Sequence, residues 1–137
     1  MRLVPSVQFA FILSFLLILS SSAIIANAQT QPSPSFFVWS SSPEVKSGWH
    51  VKIYGRICPT PPVAEEVKAY YYLVKPDGSI ITIFDDEPSF TCKKDTLIHD
   101  FKPDMIGTWS VAAVYRWISQ NEPEQQVQSN VMNFSVK

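Results

Sequence analysis

The chain has 137 residues and a formal net charge of −1, with 11 Lys and Arg against 12 Asp and Glu. Both signs are interspersed, so there is no basic footprint for nucleic acid, and the length fits one small domain. With only two cysteines and two histidines, the chain is poorly supplied for metal or triad chemistry.

In chain order, Arg2 precedes an apolar run over residues 9–19, relieved only by Ser14. The run is short for a membrane span. Ala26-Asn27-Ala28 then supplies the small-x-small pattern that a signal peptidase reads, so a secretory signal peptide is expected over residues 1–28. The alternative is an uncleaved anchor, with apolarity extended through Ile24 and Ile25. No cysteine lies near the site, which argues against a lipoprotein. Residues 29–35, Q-T-Q-P-S-P-S, read as a Pro/Ser linker that buries nothing, and the folded domain is expected over residues 36–137.

Residues 36–40 predict a short first strand, closed by turn residues through Pro43 and again at Lys46-Ser47-Gly48. Residues 49–57 alternate. Trp49, Val51, Ile53, Gly55 and Ile57 are expected inward, with His50, Lys52, Tyr54 and Arg56 on a wet outer face. Pro59, Pro61 and Pro62 then take the chain out of the sheet. Residues 67–74 and 79–84 predict a hairpin around Lys75-Pro76-Asp77-Gly78, where Pro presets its φ and Gly accepts a positive one. Residues 96–101 follow as a strand with Leu97, His99 and Phe101 expected inward. Gly107 punctuates a turn, and Trp109, Val111, Ala113 and Tyr115 then occupy every second position of the strand around which the rest must pack. After an exposed turn at 119–124, residues 128–136 close the fold with Met132, Phe134 and Val136 inward. About seven short strands, with no helical period outside the leader, predict an all-β, two-sheet antiparallel Greek-key sandwich.

At Phe101, Pro103, Gly107, Trp109, Val111, Ala113 and Tyr115, preceded by the turn at 74–78 and followed by residues 129–136, the chain resembles Ig-like and fibronectin-type-III-like domains of exported prokaryotic proteins. The resemblance covers nearly all of the region after the leader. It implies the sandwich architecture and no catalytic residues, because such sandwiches carry unrelated roles. In antibody-type domains a disulfide crosses the core to the strand corresponding to the one after Gly107, which here has no Cys. Cys58 and Cys92 flank the strand pair between them, so a bond there would tie loops or strand ends. An even pair in an exported domain is most simply one disulfide, stabilising on the order of 3–4 kcal/mol. Two free thiols in a metal or redox site are the alternative.

Cys92, His99 and Met105 follow the order of a blue-copper ligand set, but a strand separates them. Asp85, Asp86, Glu87 and Asp95 could offer oxygen ligands to Ca²⁺, though without EF-hand spacing. The neighbouring carboxylates Glu65 and Glu66, or Asp85 and Asp86, point to opposite faces of a strand and do not converge as glycosidase acids. No enzyme activity, cofactor or metal is therefore expected. Asn133-Phe134-Ser135 marks Asn133 as an exposed acceptor for glycosylation.

A partner surface emerges from the outer faces. If Ala69, Tyr71 and Leu73 point inward, Tyr70, Tyr72 and Val74 point outward; Ile80 and Phe84 join them from the hairpin partner, and Ala112, Val114 and Ile118 from the strand after Gly107, with Arg116 among them. One sheet would then carry a largely apolar, Tyr-bearing outer face and the other a polar one. The competing interpretation is that the tyrosines merely fill β-favouring exposed positions, or sit in the core after a slip of one residue. The expected function is non-catalytic binding by a secreted or cell-surface domain, to a protein partner or as a homodimer in the cell envelope. A carbohydrate-binding module using Tyr70, Tyr72 or Trp117 as stacking platforms is the second reading, and a small metal-binding or redox protein the third.

Overall fold

The computed structural model describes residues 33–137. The expected signal peptide, and the linker up to Pro32, lie outside the described residues. In chain order the strands are β1 (Ser35–Ser40), β2 (Glu44–Val45), β3 (Val51–Cys58), β4 (Glu66–Val74), β5 (Ile80–Asp85), β6 (Thr96–Phe101), β7 (Gly107–Ile118), β8 (Gln125–Gln128) and β9 (Met132–Val136). No helix occurs among the described residues, and hence none long and apolar enough to cross a membrane.

The strands form two sheets, one of three strands in the order β1-β3-β6 and one of six in the order β2-β9-β7-β4-β5, with β8 also pairing with β7. Their inward residues make one core, the layering of a β-sandwich. Burial alternates residue by residue along β7, as the sequence period predicts, with Trp109, Val111, Ala113, Tyr115 and Trp117 all inward. Trp109 stacks on Phe134 with ring centroids 6.0 Å apart and tilts against Phe101 at 5.6 Å. Its indole Nε1–H donates to the Met105 carbonyl at 3.0 Å, so the largest core ring has no orphaned polar atom.

The hairpin turn forms as expected. The Gly78 N–H donates to the Lys75 carbonyl at 2.9 Å, the Lys75 N–H donates to the Ser79 carbonyl at 2.8 Å, and Gly78 takes φ 85. Gly107 opens β7 at φ 126, where a Cβ would also meet the Pro76 ring at 2.8 Å, so the turn packs against the start of β7.

Several expectations are corrected. Trp49 is 66% exposed and lies before β3, with Lys46 Nζ 5.7 Å from its ring; its parity matches the strand, but pairing begins only at Val51. Leu97 is exposed, because a bulge shifts the β3–β6 register between Ile53 and Tyr54. Tyr54 then pairs with Leu97 on the outer face, and Ile98 packs on the core in its place. The first strand starts at Ser35, one residue into the expected linker, where it pairs with Cys58.

Cys58 and Cys92 are bonded, with Cα atoms 4.6 Å apart, tying the end of β3 to the loop before β6. That loop also delivers Phe90, which is 5% exposed and sits 4.9 Å from Phe36 and 6.0 Å from Tyr115, ring to ring. Gly55 makes room for it: a Cβ there would lie 2.9 Å from both Phe90 and Ile98.

Candidate functional site

The outer face of β4, β5 and β7 is built by register. Tyr70 lies between Phe84 and Val114, Tyr72 between Thr82 and Ala112, and Val74 between Ile80 and Ser110. All seven residues expected on the partner face therefore share one side of one sheet. Ile80 is 61% and Phe84 53% exposed, while Tyr70, Tyr72, Val74, Ala112 and Val114 are half-buried by their neighbours. Tyr70 packs against Phe84 at 5.3 Å, and the Arg116 guanidinium covers the Tyr70 ring at 5.2 Å. Beyond Tyr70 the row gives way to charge: Arg116 lies opposite Lys68, which pairs with Glu66, and the Arg116 Nε–H is buried with no acceptor among the described residues.

On β8 and β9 the same outer face turns polar, where Gln126, Gln128, Asn133 and Ser135 face Arg116, Val114, Ser110 and Thr108. Asn133 is exposed, and its Oδ1 accepts from the Ser110 hydroxyl at 2.7 Å.

Beneath this face, burial and the neighbouring Asp85 carboxylate push the Tyr71 phenol far above its ordinary range. The Tyr71 hydroxyl is accordingly a fixed donor, 3.2 Å from Asp85 Oδ2. Burial likewise raises Tyr115 and lowers His99, the latter partly opposed by Asp100.

On the smaller sheet Lys52, Tyr54 and Arg56 of β3 face outward as expected, but β1 makes that face less polar than expected. Phe37 and Trp39 on β1 point outward opposite Arg56 and Tyr54, and Trp39 stacks on Tyr54 at 6.2 Å. Phe37, Trp39, Arg56 and Asp95 line an open cleft of about 380 Å³, in which Arg56 pairs with Asp95. This cleft was not legible in the sequence, because the five residues expected as the first strand, 36–40, were too few to fix which side was inward.

The other candidate constellations come apart. Cys92 is bonded to Cys58, His99 stacks on Phe101 at 5.0 Å and Met105 packs on the core, so no thiolate is left for a copper set. Asp85 accepts from Tyr71 and from the Glu87 N–H, while Asp95 pairs with Arg56 across the loop. Among the described residues no three His, Cys, Asp or Glu side chains converge on a metal position. Trp117, read as a sugar-stacking platform, is 4% exposed and belongs to the core.

No family model matches the chain, and neither a curated protein nor a solved structure does.

Proposed function

We propose that this chain is an exported, Ig-like β-sandwich domain that acts by binding rather than catalysis, and that it docks a protein partner on the apolar outer face of β4, β5 and β7. One observation carries the reading: Tyr70, Tyr72, Val74, Ile80, Phe84, Ala112 and Val114 form a continuous patch on the sheet, rimmed by Arg116 and by the polar side chains of β8 and β9. The Ig-like assignment draws support from the strand order, in which the first, third and sixth strands share one sheet and the hairpin β4–β5 adds to β7 and β9 in the other. That order fits Greek-key connections. Export is supported by the apolar leader over residues 9–19 and by the Cys58–Cys92 bond, which persists in oxidising compartments such as a cell envelope or the extracellular space.

The test is capture from the native envelope with the wild-type chain and with Tyr70→Ala/Tyr72→Ala, each first shown folded by circular dichroism. A partner held by wild type and lost by the double variant supports the face. Identical capture by both sinks it.

The cleft beside Trp39 favours a second reading, carbohydrate binding on the smaller sheet. Phe37, Trp39 and Tyr54 offer ring faces for sugar C–H groups, and Arg56 with Asp95 offers hydrogen bonds for hydroxyls. Retention on insoluble polysaccharide that disappears in Trp39→Ala would select this reading over the first.

A further inference from the structure

The sheets end in strands whose outer rims are treated very differently. On β1, the Asn130 side chain stands in for a missing neighbour: its Oδ1 accepts from the Val38 N–H at 2.8 Å and its Nδ2 donates to the Val38 carbonyl at 3.1 Å. Phe36 on the same rim bridges to Ser129. On β6, a bulge breaks the ladder and charged Asp95, Asp100 and Lys102 punctuate the strand and its ends. β2 is two residues long, follows Pro43 and carries Glu44, and β8 is four residues long. Short length, charge and bulges are the ordinary means of blunting an edge.

β5 is less protected: its charge is confined to its last residue, Asp85, and to Asp86 and Glu87 beyond it. Residues 79–84 read S-I-I-T-I-F, without charge, Pro or Gly, and the strand pairs with β4 in unbroken register. The Lys75–Ser79 hydrogen bond fixes which residues face that partner. Since hydrogen-bonded pairs alternate along an antiparallel ladder, Leu73–Ile81 and Tyr71–Ile83 are hydrogen-bonded pairs too. The main-chain N–H and C=O groups of Ile80, Thr82 and Phe84 therefore point away from β4, and no partner for them occurs among the described residues.

We propose that β5 pairs antiparallel with β5 of a second copy of this chain, about a two-fold axis at Thr82, joining two large sheets into one. The choice of a second copy rests on the self-complementarity of the edge. With the axis at Thr82, each Ile80 faces Phe84 of the other copy and Thr82 faces Thr82. Aromatic with β-branched and Thr with Thr are favourable cross-strand pairs, and all three fall on the outer face. The same register brings Asp77 toward Glu87 of the other copy at each rim, so screening by salt strengthens the pairing. This inference concerns the main-chain edge of β5; Ile80 and Phe84 also belong to the docking face proposed above, and the Thr82 and the Tyr70/Tyr72 variants test the two separately.

The test is sedimentation of the full chain, purified as the cell delivers it, over a range of concentrations and at low and high salt. Thr82→Pro is the informative variant, because the Thr82 N–H is not used in the β4–β5 ladder and its loss leaves the hairpin intact. Thr82→Lys serves if the Pro variant misfolds. Wild type is expected to pass from monomer to dimer with concentration, more so at high salt. Both Thr82 variants should remain monomeric with wild-type circular dichroism, while Tyr70→Ala/Tyr72→Ala still dimerises. The proposal is overturned by a wild type that stays monomeric throughout, by a dimer that weakens with salt, or by a dimer that survives both Thr82 substitutions.

Discussion

β1 and β5 are both six-residue strands, both mainly apolar, and each ends its sheet, yet one rim is closed and the other open. What closes β1 is not its own sequence. The interruption between β8 and β9 at residues 129–131 brings Ser129 and Asn130 against Phe36 and Val38, so a side-chain amide replaces a strand. At β5 the larger sheet runs past the narrower one, and Ile81, on the inward parity, stays partly exposed for want of a facing strand. Edge status is thus decided by which distant segment reaches the rim, and it can be probed from both sides.

The largest effect is expected on the closed side. Phe90→Ala should cost about 4 kcal/mol, as truncation of a buried aromatic does, because its ring packs on Phe36 of β1 and on Tyr71 and Tyr115 of the opposite sheet. The denaturant midpoint measures it. Next, Cys58→Ser/Cys92→Ser should lose about 3 kcal/mol by the loop-entropy argument, read as a lowered melting temperature, with β5 and its hairpin left as they are. Asn130→Ala leaves the Val38 N–H and carbonyl without their partner and should cost about 2 kcal/mol. It should also give β1 an open rim of its own, visible as association that persists when Thr82→Pro is added. Smallest of all, Thr82→Lys on the open side should shift stability by no more than about 0.5 kcal/mol, since Thr82 is exposed and its side chain makes no hydrogen bond among the described residues.

Much of this molecule could be read from periodicity alone. The alternation from Trp109 to Tyr115 placed β7 with its inward side correct, and the same parity extended to Trp117 already assigns that ring to the core rather than to a sugar platform. The Lys75–Gly78 turn fixed the hairpin, and the hairpin fixed which side Tyr70, Tyr72 and Val74 share with Ile80 and Phe84. Where period gave out, so did the reading. Phe90 is buried from a loop that has no period, and its niche exists only because Gly55 lacks a side chain. Leu97 followed the alternation until a bulge inverted it. The outward Phe37 and Trp39, and the parallel pairing of β2 with β9, depend on contacts between segments far apart in sequence, to which local patterns are blind.

Residue-resolved amide hydrogen exchange, run on dilute and on concentrated samples of the full chain, addresses the contrast between the two rims most directly. The Val38 amide, held by Asn130, should be slow in both samples. The Thr82 and Phe84 amides should exchange freely when dilute and slow down on concentration. A Thr82 amide as slow as Val38 in the dilute sample, or still fast in the most concentrated one, would contradict the account.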